Sequence, residues 1–372
     1  MRKAAVLALT FLSAPVWAAV LPVGVPVQHR HRFAAIKTQA AAPATYRGEW
    51  TADTRNTWTD NDGEPRIQFN LRTAAGDSRW GFGVRLRELA GLPTAAVANM
   101  ANDVQFTWTR EAGMFRFTGS FDMGRGSGTY NFAPDQSFIN AMNGLGYRSL
   151  SSDDLVRLAM IDVTTAHVRG LNQAGYTNLP LDDVVRTRIH RVTPQFIQDL
   201  AAVGYKDIAI EDLVRMSIHG ATAANIKALQ DAGIRGQSVE DVIRFRIHRV
   251  TPEFIRAMEQ RGYKSVPAED LVRMRIHKVT AEETDQLKAL GITGMSVEQL
   301  VKFRIHKVTP EYIRAMREVG FQSATEDQLV RMRIHKVDAQ FVRHAREDGF
   351  ALQTPGEAID LAIHGPRYRR RK

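Results

Sequence analysis

Shifted against itself by 29 residues, the chain reads eight times over without an insertion, across 136–164, 165–193, 194–222, 223–251, 252–280, 281–309, 310–338 and 339–367. Gly146, Gly175, Gly204, Gly233, Gly262, Gly291, Gly320 and Gly349 share one register, and Thr164, Thr193, Thr222, Thr251, Thr280 and Thr309 share another. A fixed period of this kind marks stacked supersecondary units, none of which buries its apolar face without its neighbours. Residues 135–367 are therefore expected to form one repeat domain.

The punctuation inside a unit says what the unit is made of. In "VTPEFIRAMEQRG" (250–262), Thr251 suits an N-cap, Pro252 the first helical position and Glu253 the positive end of the helix dipole. Val250 can staple to Ile255, and Gly262 supplies a left-handed residue after the helix. A second helix opens with capping-box spacing at "SSDD" (151–154), "SVED" (238–241) and "SVEQ" (296–299), and runs through "LVRMRIH" (271–277). The alternation in "VRMRIHKV" (272–279) is also a strand signature, and strand–helix horseshoes have similar periods. Capping boxes do not precede strands, and the leucine-rich consensus is absent. The expectation is an α-helical solenoid of eight two-helix units.

Bulky side chains alternate along the stack. Tyr205, Tyr263 and Phe321 accompany Met216, Met274 and Met332, whereas Ile234 and Ile292 accompany Phe245 and Phe303. Such volume compensation places the two positions in one core layer, within a unit or across adjacent ones.

Ahead of the repeats the period is two. Ile67, Phe69 and Leu71 alternate with polar residues; so do Trp80, Phe82, Val84 and Leu86, then Val104, Phe106 and Trp108, then Phe115, Phe117 and Phe121, then Tyr130 and Phe132. Turn residues at "NDGEP" (61–65), "AAGD" (74–77), "EAG" (111–113) and "GRGSG" (124–128) separate these strands. A small antiparallel β-sandwich or barrel is expected over 45–134. "DNDGE" (60–64) lacks the later ligands of a calcium loop and reads as a hairpin turn, and "GRGSG" lacks the lysine of a phosphate loop and reads as a bend.

Residues 1–18 have the basic start, short apolar run and small-residue exit of a signal peptide, with cleavage expected near Ala18. Residues 19–44 are Ala- and Pro-rich and read as a linker; His29 and His31 in it could catch a soft metal, but a solvated linker is the simpler reading. Residues 368–372 are a basic tail. No other stretch reaches the length of a spanning helix, so a periplasmic or secreted protein is expected. The absence of cysteine excludes disulfides, thiol catalysis and Cys-ligated zinc. A net charge of +10 favours anionic partners, among which nucleic acid is not expected in an exported setting.

Charges also repeat. Asp153, Asp182, Glu211, Glu240, Glu269, Glu298 and Asp327 stand four residues before Arg157, Arg186, Arg215, Arg244, Arg273, Lys302 and Arg331, a spacing that suits pairs within a helix. A second ladder, Arg188, Arg246, Arg275, Arg304 and Arg333, projects inside the apolar arc of its helix. These guanidinium groups are expected either to bridge to Asp183, Asp212, Asp241 and Asp270 of neighbouring units or to form an exposed anion-binding stripe. His190, His219, His248, His277, His306, His335 and His364 recur in the last helical turn. Stacked helices hold equivalent residues roughly 8–10 Å apart, too far for adjacent rungs to share an ion, so capping of terminal carbonyls is expected rather than metal binding.

Units such as "EDVIRFRIHRVTPEFIRAMEQRGY" (240–263) resemble the short repeats in extracytoplasmic tails of BlaR-like bacterial membrane metallopeptidases and in related stand-alone exported proteins. The resemblance covers about 136–367. The peptidase motif HExxH and its membrane helices are absent, so no catalytic residue carries over, and what the resemblance implies is a sensing or interaction module without the enzyme. No nucleophile elbow, phosphate loop or dinucleotide fingerprint occurs either, and no cofactor is expected. The sequence thus points to a non-catalytic, exported bacterial envelope protein that binds a protein or peptide through its repeat surface. The alternatives are a binder of anionic envelope polymer or membrane headgroups, using the second ladder with Arg191, Arg249, Lys278, Lys307, Lys336 and the tail, and then an uncharacterised enzyme.

Overall fold

The computed structural model describes residues 46–59, 65–73 and 79–365. The signal, linker and tail readings, the histidines at 29 and 31, and the turns at 60–64 and 74–77 lie outside the described residues.

Seven strands form one antiparallel sheet curled into a half-barrel: β1 (Tyr46–Thr59), β2 (Pro65–Thr73), β3 (Arg79–Arg85), β4 (Leu89–Ala90), β5 (Ala101–Arg110), β6 (Gly113–Asp122) and β7 (Arg125–Pro134). The order is β3-β2-β1-β7-β6-β5-β4, so the first strand lies beside the last. The alternating aromatic residues fill the inside of the curl. Trp50 is buried against Phe69, Phe106, Phe117 and Phe121, with ring centroids 5.4–6.0 Å apart, and its indole N–H donates to the Thr118 carbonyl. Gly126 and Gly128 do not form a bend, as their sequence suggested, but lie within β7 beneath this ring. A Cβ on either would fall 2.7–2.8 Å from Trp50, so both glycines make room for it. Of the three glycines Gly124 is in the turn, with φ +87°, next to Met123 at φ +45°.

The helical domain follows at Gln136. The first helices of the eight units begin at Gln136, Thr165, Pro194, Ala223, Pro252, Ala281, Pro310 and Ala339, and the second at Ser152, Leu181, Ile210, Val239, Ala268, Val297, Glu326 and Pro355. First helices pack on first helices and second on second, the arrangement of an α-solenoid. Local chemistry explains the starts. Thr164, Thr193, Thr222, Thr251, Thr280 and Thr309 accept from the third backbone N–H of their helices, and Ser151 and Ser296 complete capping boxes. "LVRMRI" (271–276) is helical, and Leu271, Val272 and Met274 are its buried residues. The compensating pairs share clusters: Tyr205 with Met216, Ile234 with Phe245, Tyr263 with Met274, Ile292 with Phe303 and Phe321 with Met332.

The half-barrel and the first units have a single continuous core that runs from Trp50 and Phe132 through Phe138, Met142 and Leu155 to Val185. Glu111, in the turn after β5, accepts from the backbone N–H of Thr165 and so caps the first helix of unit 2. The β domain thereby covers the end of the stack, as terminal caps do in repeat proteins.

Candidate functional site

The second helices of units 1–6 end on the same joint. The second-ladder arginines sit near the middle of the buried arc but at the last turn, from which they reach over the end of the preceding unit. Arg246 and Arg275 donate from Nε at 3.4 Å to the carbonyls of His219 and His248, and Arg304 and Arg333 donate at 3.0 and 3.3 Å to those of His277 and His306. In unit 3 a serine holds the place, and the Ser217 hydroxyl donates to the His190 carbonyl. Arg188 donates to both the carbonyl (2.8 Å) and the carboxylate (2.6 Å) of Asp162. The ladder therefore spans units, but its main partner is an orphan helix-end carbonyl rather than the expected Asp183, Asp212, Asp241 and Asp270. Arg275 and Arg333 also lie over the rings of Phe254 and Tyr312, 4.9 and 4.7 Å from their centroids.

Those four aspartates are instead taken by the first ladder. Arg186, Arg215 and Arg273 lie 3.0–3.3 Å from Asp183, Asp212 and Asp270 three residues earlier, and Arg244 lies 3.9 Å from Asp241. Arg186, Arg215 and Arg244 also reach forward to Glu211, Glu240 and Glu269 of the next unit, as Arg157 does to Asp182 and Lys302 to Asp327, at 2.5–3.0 Å. The expected pairs four residues apart are thus replaced by pairs three residues back within the helix and 25 residues ahead in the next unit, where stacking brings an acid within reach.

His190, His219, His248, His277, His306 and His335 occupy the C-cap, and His364 ends its helix. What His190, His219, His248, His277 and His306 contribute to the joint is the main-chain carbonyl; none of the seven imidazoles makes a hydrogen bond with a described residue. Among the described residues no three His, Asp or Glu side chains lie close enough to share a metal ion. The next residue is left-handed in every unit: Asp162, Arg191, Gly220, Arg249, Lys278, Lys307, Lys336 and Gly365 have φ between +55° and +66°. In units 1–7 the following residue closes the motif, as when the Val279 N–H donates 2.8 Å to the Met274 carbonyl. A non-glycine residue in this region costs on the order of 1 kcal/mol or more. Units 3 and 8 avoid that cost with glycine, whereas five units place an exposed lysine or arginine there. None of the five forms an ion pair with a described residue.

Between the arginine and the histidine stands a residue the sequence reading passed over. Ile189, Ile218, Ile247, Ile276, Ile305, Ile334 and Ile363 recur once per unit and are 46–54% exposed. At 100° per residue Ile276 lies about 120° from the centre of the arc formed by Leu271, Val272 and Met274, so helix geometry turns it outward. The recurrence of one residue type on one register was the signal that could have found it. Successive second helices pack together, so the isoleucines form a row along one edge of the solenoid, with a row of cations two residues further on. The row deepens into a cleft of about 620 Å³ lined by Ile276, Lys278, Arg304, Lys307, Tyr312 and Arg333, with His277 and Thr309. No carboxylate lines it, and Arg304 on its wall is paired with Glu283 at 3.1 Å.

A second missed feature is buried in unit 2. His167 and Thr187, 7% and 0% exposed, meet at 3.0 Å from the imidazole Nε2 to the hydroxyl. The hydroxyl donates to the Val184 carbonyl at 2.7 Å, so Nε2 carries the proton. Burial, then the neighbouring Arg188 charge, pushes His167 down to about pKa 4.

No protein-family model matches the chain, and no curated protein matches it either.

Proposed function

We propose that the protein is a non-catalytic interaction module of the bacterial envelope, which binds a protein or peptide partner along the isoleucine edge of its solenoid. The observation that carries this reading is the row itself: one half-exposed isoleucine in each of seven units, on one edge. Scattered exposed apolar residues need no explanation, but an aligned set marks an interaction surface. The resemblance to extracytoplasmic repeats and the signal-like residues 1–18 support an exported setting. No helix among the described residues is long and apolar enough to cross a membrane, in keeping with a module that acts at a surface.

The competing reading, binding of an anionic envelope polymer, draws on the five left-handed cations. Salt separates the two. Capture of partners from envelope extract by the immobilised protein should persist from low to physiological salt if apolar contact dominates. Recovery that collapses over that range would favour the polymer.

A further inference from the structure

Resting on that reading, we infer that the edge formed by units 5–7 recognises an acidic peptide segment in which carboxylates are interleaved with apolar side chains. The apolar side chains lie against Ile276, Ile305 and Ile334. The carboxylates meet Lys278, Lys307 and the Arg333 guanidinium. Three observations carry this. The cleft of about 620 Å³ is lined by cations and by no carboxylate. Lys278 and Lys307 are exposed and without a described ion-pair partner, so their charge is open to a ligand. Their left-handed backbone, φ +56° in both, is the one Gly220 adopts more easily in unit 3, which means that the side chains are kept where the backbone alone would favour glycine.

The same features argue against other occupants. A sugar or phosphate polymer would satisfy the cations and leave every isoleucine in water. A bilayer is too broad to enter a cleft between neighbouring helices. The chain's own end, "PRYRRRK" (366–372), is basic and is not complementary. The Arg333 guanidinium, held over Tyr312, presents a fixed planar fork that suits a carboxylate. The spacing also fits, because an extended polyproline-type chain advances roughly 9 Å in three residues, close to the 8–10 Å between stacked helices.

The test uses the full chain and a fluorescein-labelled peptide of about twelve residues made by repeating Glu-Glu-Leu, with the same peptide carrying serine for leucine as a control. Fluorescence anisotropy should show saturable binding of the first peptide and at least about tenfold weaker binding of the second. Lys278→Gly with Lys307→Gly should weaken binding at least about tenfold while the melting temperature holds or rises, because the substitution relieves backbone strain. Phosphatidylglycerol vesicles, dextran sulfate and sedimentation of the chain alone run in parallel. Peptide binding indifferent to the two lysines would overturn the inference. So would lysine-dependent binding of vesicles or dextran sulfate without peptide binding, or a lysine-dependent dimer that blocks the peptide. If Ile276→Ser with Ile305→Ser abolishes capture of partners from envelope extract and the lysine variant does not, the interaction edge stands and the acidic peptide falls. If neither variant alters capture, both fall.

Discussion

Arg304 donates from Nε to the main-chain carbonyl of His277 at 3.0 Å, and its Nη1 lies 3.1 Å from the Glu283 carboxylate. One side chain thus caps the helix of the preceding unit and neutralises an acid that is only 13% exposed. Arg275 makes the first contact at 3.4 Å and no ion pair with a described residue. Arg304→Met should therefore cost about 2–3 kcal/mol, since it strands a largely buried carboxylate. Arg275→Met, which leaves only a half-exposed carbonyl unpaired, should cost about 1 kcal/mol or less. Thermal or urea unfolding of the two variants checks the order; equal losses would mean that Glu283 finds other solvation.

The left-handed positions predict opposite signs for similar exchanges. Lys336 has φ +58°, so Lys336→Gly should leave stability unchanged or raise it by up to about 1 kcal/mol, any gain being offset by lost interaction with the helix dipole. Gly262 has φ +98° and no atom within 4 Å of a built Cβ, so the loss in Gly262→Val is conformational alone, about 1–2 kcal/mol. Chemical denaturation of both variants tests this, and a destabilised Lys336→Gly would show that the lysine supports the fold.

His167 gives the stack a pH dependence. Its pKa falls from an ordinary 6.5 to about 4 on folding, so between those values the unfolded chain binds the proton more readily. Stability contributed by the neutral imidazole is complete above about pH 6.5 and is lost as pH falls towards 4, by roughly 2–3 kcal/mol. His167→Gln should flatten the melting temperature over that range, whatever it does to stability at pH 7. A variant that keeps the full slope would place the titration elsewhere.

What was legible in the sequence was what local chemistry decides. Thr251, Pro252 and Gly262 fix the ends of a helix without reference to the rest of the chain, and the alternation of Phe115 and Phe117 fixes a strand. What stacking decides was not legible. The partner of Arg304 is a carbonyl 27 residues away, and the partner of Arg186 is an acid 25 residues ahead; both depend on how one unit lies on the next. Gly126 and Gly128 looked like turn residues because the ring they accommodate, Trp50, comes from the other end of the domain. The buried pair in unit 2 did leave a trace: His167 and Thr187 stand where unit 3 has Phe196 and Met216.

The account turns on the isoleucine row, and substitution of three neighbours tests it most directly. Ile247→Ser, Ile276→Ser and Ile305→Ser together exchange half-exposed side chains at helix ends, so the melting temperature should shift by no more than a few degrees. Partners captured from envelope extract by the unaltered chain at physiological salt should be lost by the triple variant. Full retention of those partners by a folded triple variant would contradict the assignment of this edge as the interaction surface.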